Sequence, residues 1–260
     1  MELAGFIDDI LVFTLGLARF IAIFAMMPFL GRSVLVGSAR NAVAISFAVF
    51  IYPVAAQGID AEALGAVDFS VLLVKEIVIG ILIGVGIAKL YWAVEAMGFL
   101  IDNQRGSTMA SSVDPLTGSQ TSPLGLFMMQ VVTVWTFISG AFMMLLLAIY
   151  QSYVVFPVAS FFPSLVLEDA RFFLGILDQM VKLAAIMASP ALVAMFLSEF
   201  ALGLVSRFAP QLNVFFLAMP VKSAVGMLML TLYLTLLVHV WESEFALMLT
   251  HFSLLEGLVQ

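Results

Sequence analysis

The run VLLVKEIVIGILIGVGIAKLYWAVEAMGFL, residues 71–100, decides the fold class. It exceeds the roughly 20 apolar residues that a helix needs to cross a bilayer. Its only charges are Lys75, Glu76, Lys89 and Glu95. Gly80 and Gly84 stand at the small-xxx-small spacing that lets a second helix approach closely. Gly84-Val-Gly86-Ile-Ala-Lys89 has a superficial likeness to a dinucleotide fingerprint. It sits inside an apolar helical run with no strand-turn-helix context, so that reading is rejected.

The rest of the chain has the same character. Of 260 residues, 63% are hydrophobic and 10% charged, and the mean hydropathy is +1.17. A soluble domain is about 45–50% apolar and about 25% charged. Ten Lys and Arg with seventeen Asp and Glu cannot cover the surface of a soluble protein this size. The composition excludes a soluble enzyme, a disordered chain and a nucleic-acid binder. There is no cysteine, hence no disulfide, thiolate nucleophile or cysteine-based metal site. The net charge of −7 leaves no basic patch for anionic partners. Glu2, Asp8 and Asp9 occupy the positions where a secretory signal carries Lys or Arg, so the first apolar run is expected to be a retained helix. The 16 Met and 24 Phe read as lipid-facing and interhelical packing.

Working outward, segment one covers about 11–30 with Arg19 inside it, and segment two about 41–56, stopping near Tyr52-Pro53. Segment four follows from about 123 to 150, five from about 181 to 204, and six from about 220 to 241. Ser122-Pro123 predicts an N-cap and first helical residue, and Pro220 predicts the start of segment six. The lengths do not match six plain spans. Segment two is short, whereas no charge occurs between Asp114 and Glu168. Segment four, at about 42 Å, is longer than a ~30 Å hydrocarbon core and must tilt, bend or project. Hairpins packed on other subunits are expected; the bland alternative is a lipid-bathed six-helix bundle. By the positive-inside rule, Arg32 and Arg40 place the first link in the cytoplasm and the N-terminus outside.

The chain holds no HExxH and no GxSxG. His239 and His251 flank an acidic end and read as interfacial residues, with no metal expected. Charges inside apolar segments are more informative, because a charge in lipid costs at least about 2.5–3.5 kcal/mol and therefore faces protein or water. Asp102 and Arg105 are spaced to pair on one helix face, and Glu95 shares their stripe. Glu199 and Arg207 lie about two turns apart, with Pro210 as a stop. Lys222, close after Pro220, would sit at a helix N-terminus that disfavours a cation, and so calls for an acidic partner. These groups act either as static assembly pairs or along a water-filled path. The polar run from Gly106 to Thr121 contains Ser107, Met109, Val113, Asp114-Pro115 and Gly118. It is far longer than a plain link needs to be. It reads as a solvent link, a re-entrant lid or a plug, since irregular backbone at membrane depth requires protein or water around it.

Two blocks carry a family resemblance. The first is Gly98-Phe-Leu-Ile-Asp102-Asn-Gln104-Arg105-Gly106, with Asp114-Pro115 and Ser122-Pro123-Leu-Gly125 after it. The second runs from Glu199 through Gly203, Ser206-Arg207-Phe208, Pro210-Gln211-Leu-Asn213 and Met219-Pro220-Val-Lys222-Ser223. Together they resemble the T/R subunit of the type III secretion export apparatus (SctT/FliR type), with wording closer to the injectisome branch. The resemblance covers nearly the whole chain. It implies a non-enzymatic subunit without cofactor, in the bacterial inner membrane. The implied fold is an all-α integral membrane protein, a P-like hairpin set fused to a Q-like one, forming one export-gate domain over 1–260. It also implies P and Q partner subunits in a pore for exported proteins, a docking U/FlhB-type switch protein, a cytoplasmic C-terminus, and a plug loop on 106–121. The competing hypothesis is a secondary transporter that uses Glu95, Asp102, Glu199 and Lys222 as an ion path. It would be favoured by an inverted repeat, and none is evident.

Overall fold

The computed structural model describes residues 2–30, 37–56, 59, 65–106, 122–160, 169–208 and 214–258. Every regular element among them is helical. The elements are α1 (Glu2–Met26), a 3-10 turn (Pro28–Leu30), α2 (Gly37–Ala55), α3 (Ala66–Arg105), α4 (Pro123–Ile138), α5 (Ala141–Val155), α6 (Asp169–Phe208) and α7 (Val214–Leu258). Among the described residues, α1, α2, α3, α6 and α7 are long and apolar enough to cross a membrane, and α4 with α5 makes a sixth span if counted as one.

Several boundaries differ from the sequence reading. Segment four is two helices, and the chain bends by 78° between them. The break is Ser139-Gly140: Gly140 takes φ 79°, a left-handed conformation that costs other residues a Cβ clash. Ser139 Oγ accepts the Ala141 N–H at 3.4 Å. Pro220 does not start a helix. It lies inside α7, which begins at Val214, so Lys222 is not at a helix N-terminus. The gap left between segments five and six, about 205–219, is correspondingly shorter, for α6 runs on to Phe208 and α7 begins at Val214. Pro53 likewise sits inside α2 and does not end it.

Prolines are tolerated in membrane helices when another donor serves the carbonyl they leave free. Pro190 in α6 leaves the Ile186 carbonyl without its helical donor, and Ser189 Oγ donates to that oxygen at 2.8 Å.

The chain forms two compact units. The first comprises residues 1–89, 136–174 and 245–260. Here α1 lies against α3 through Gly80 and Gly84: a Cβ on Gly80 would sit 2.7 Å from the Arg19 carbonyl oxygen, and one on Gly84 2.8 Å from Met26 Cβ. That is the close approach the glycine spacing predicts. Phe20 stacks on Tyr153 (5.9 Å) and meets Phe24 edge-on, while Phe29 and Phe47 both reach Phe142. The second unit comprises 90–135 and 175–244. Its core includes Tyr91, Val94, Met97, Met195 and Trp241, all without solvent contact. Trp241 packs against Trp135 at 5.8 Å, and Tyr233 donates to the Met187 carbonyl at 3.1 Å.

Candidate functional site: buried charges and the α3–α4 junction

In the second unit, the last turn of α3 meets the first turn of α4. Asp102 is completely buried. One carboxylate oxygen pairs with Arg105 at 2.5 Å, the i,i+3 pair expected from the spacing. The other accepts the Ser122 hydroxyl at 2.7 Å and the Leu124 N–H at 3.0 Å. Ser122 Oγ in turn accepts the Gly125 N–H at 2.9 Å. Ser122 is thus the N-cap that the Ser-Pro signal predicts, and Asp102 caps the neighbouring amide from a different helix.

Gly98 and Gly125 bring the two backbones into direct contact; a Cβ on Gly98 would overlap Gly125 and come within 2.8 Å of the Leu124 carbonyl carbon. Glu95 is half-buried on α3, and its carbonyl oxygen would meet a Cβ on Gly125 at 2.8 Å. Gly106 closes α3 with φ 81°, the usual reversal after a helix end. Ser107, Met109, Val113, Asp114, Pro115 and Gly118 lie outside the described residues.

Also in this unit, Lys222 of α7 donates to Glu199 of α6 at 3.1 Å. This is the acidic partner that an intramembrane lysine requires. Lys222 is mostly covered, whereas the Glu199 side chain remains 47% exposed. Gln104 reaches the same carboxylate oxygen at 3.5 Å. Arg207 stands exposed on the last turn of α6 and is not part of the pair.

The first unit contains a charge cluster whose pairing the sequence did not reveal. Arg19 of α1 binds Glu76 of α3 with two nitrogens, at 2.6 and 3.0 Å, and Lys75 approaches the same carboxylate at 2.9 Å. All three side chains are sealed from solvent. Arg19 also donates to the Ser152 and Phe156 carbonyls at 2.8 and 2.7 Å, and its guanidinium lies 4.0 Å over the Tyr153 ring. Lys75 donates to the carbonyls of Pro157, Val158 and Ser160 at 2.8–3.0 Å. Two cations thus meet the carbonyl end of α5 and the turn after it, where the dipole is negative, although the Ser152 oxygen also accepts the Phe156 N–H. The charges themselves are legible in the sequence. Their convergence on residues 152–160 is not, because no local spacing encodes a contact between three helices.

Comparison with known proteins fits this architecture. The profile for bacterial export proteins, family 1, matches residues 10–248. The chain belongs to this family. The Yop proteins translocation protein T of Yersinia pestis is 46% identical over 225 residues, which cover 86% of each chain. The surface presentation of antigens protein SpaR of Salmonella typhimurium is 35% identical over 220 residues, covering 84% of this chain and 81% of that one. The flagellar biosynthetic protein FliR of Bacillus subtilis is 31% identical over 247 residues, covering 93% of each. The T/R-subunit resemblance therefore holds, and the identities favour the injectisome side over the flagellar one. As a bacterial export protein with five or six apolar spans, the chain is a multi-pass protein of the inner membrane and a component of protein export.

Proposed function

We propose that this export protein is the T/R-type subunit of the type III secretion gate. In this reading 1–260 is one export-gate domain. It joins P and Q subunits in an inner-membrane pore for unfolded protein substrates, and a U/FlhB-type switch protein docks on it. It is non-enzymatic: its charges hold an assembly together. The carrying observation is the outward apolar surface of α6 and α7. Their apolar stretches cover 35 and 33 residues, or about 50 Å each against a ~30 Å hydrocarbon core. Val193, Phe196, Phe200, Leu228, Leu232 and Leu236 are all exposed along them. A helix of that length tilts, bends or projects beyond the hydrocarbon core; in this reading it projects, and partner subunits cover the apolar remainder. The transporter alternative needs carboxylates free to exchange an ion. Asp102 and Glu199 are instead engaged by Arg105 and Lys222, which supports the assembly role for these four residues; we extend the same role to Glu95 and Arg207.

The segment after Gly106 serves in this reading as the plug that closes the pore at rest. Gly106 and Gly118 are its hinges, Asp114-Pro115 its break, Ser107 a small polar position, and Met109 and Val113 the water-excluding contacts. Small residues fit a narrow path, and apolar constrictions gate by dewetting. The test is deletion of Ser107 to Ser119 in cells that also express the P and Q subunits. A complex that assembles and makes the membrane leaky to ions is expected. A tight membrane around the assembled deletion complex would sink the plug role.

A further inference from the structure

We infer that Asp102 is the positioning residue of the α3–α4 junction: its carboxylate clamps the two helices, so the spacing of the ends that flank 107–121 is set by the scaffold and not by the intervening segment. The two oxygens have separate duties. One is held on its own helix by Arg105. The other reaches across to α4, where it accepts the Ser122 hydroxyl and the Leu124 N–H. An anion at that place also meets the positive end of the α4 dipole. With Ser122 Oγ accepting the Gly125 N–H, both amides that follow Pro123, which has no N–H of its own, find an acceptor in the first turn of α4.

The Gly98–Gly125 backbone contact supplies a second fixed point one turn before Asp102 on α3. Two points fix an angle as well as a distance, which one hydrogen bond cannot do. Gly106, with φ 81°, then turns the chain off α3 directly after the clamped turn. The competing account is that Asp102 merely neutralises Arg105. The two accounts differ in which partner matters.

The chain has no native cysteine, so introduced thiols label cleanly. Phe99→Cys and Leu126→Cys place spin labels at exposed positions of α3 and α4 in the intact complex with its partner subunits. Asp102→Ala is expected to broaden the interlabel distance distribution and to speed hydrogen exchange of the first-turn amides of α4 about fivefold, the effect of losing a cap. Asp102→Asn keeps one acceptor oxygen for α4 and should restore a narrow distribution. Arg105→Ala should leave it narrow, as should deletion of 108–119. Ser122→Ala removes half of the cross-helix bonds and should give an intermediate width even if Asp102→Ala does not fold. An unchanged distribution in both Asp102→Ala and Ser122→Ala overturns the clamp, and so does broadening by Arg105→Ala or by the deletion alone. The bearing of the clamp on export rests on the plug role proposed above. A broadened junction in a membrane that stays tight supports the clamp and counts against the plug.

Discussion

Glu76 accepts both Arg19 and Lys75 without solvent contact, and its removal takes from two buried cations the carboxylate they share. Breaking such a buried group costs about 3–5 kcal/mol. Glu76→Gln is therefore expected to lower the thermal unfolding midpoint of the detergent-solubilised complex clearly. Glu242→Gln, which breaks the exposed His239–Glu242 contact, should leave it near wild type. Equal effects of the two would refute the assignment of Glu76 as the keystone of the cluster. Arg207 makes a different case, because it is exposed in the isolated chain. In the proposed assembly role, its place beside the apolar outward stripe of α6 would put it at a partner contact. Arg207→Ala should reduce the yield of intact complex and reduce secretion in proportion. Normal assembly with secretion alone abolished would point away from an assembly role.

At the scale of elements, the break between α4 and α5 depends on one residue. Gly140 adopts φ 79°, and a left-handed conformation costs a residue with a Cβ roughly 1–2 kcal/mol. Gly140→Ala is expected to destabilise the protein by about that amount in thermal or denaturant unfolding. Gly86→Ala, where a Cβ meets nothing within 4 Å, should be neutral or mildly stabilising. If Gly140→Ala is as harmless as Gly86→Ala, the bend is not held by that glycine. Ser139-Gly140 is a turn signal in the sequence, but it stands inside an apolar run that reads as one segment. Pro220 misled in the opposite sense: a proline at a helix start and a proline seven residues into one look alike until the backbone before it is known.

For the whole molecule, the long apolar faces of α6 and α7 set the expectation. A chain whose exposed side chains include Phe196, Phe200, Phe208, Phe216 and Leu232 should not persist alone. Expressed without P- and Q-type partners, it is expected to aggregate or to be degraded; with them, it should migrate as one complex. Size-exclusion chromatography in mild detergent decides the matter. A monodisperse solitary monomer that survives for days would count against burial by other subunits.

The sequence alone determined that this is a helical membrane protein, because hydropathy and charge scarcity act residue by residue and need no partner to be read. It also determined the Asp102–Arg105 pair, the Ser122 cap and a close helix approach at Gly80 and Gly84, all of which follow from spacings within one helix or from one helix end; that α1 is the helix making that approach came only from the structure. The family blocks around 98–125 and 199–223 were legible as strings of residues. Only the tertiary structure decided that Glu199 meets Lys222, that Asp102 also caps α4, and that Arg19, Lys75 and Glu76 converge on the end of α5. The physical reason is common to all three. A buried charge announces that it needs a partner, because solvation is lost, but identifying that partner requires the relative placement of helices far apart in the chain.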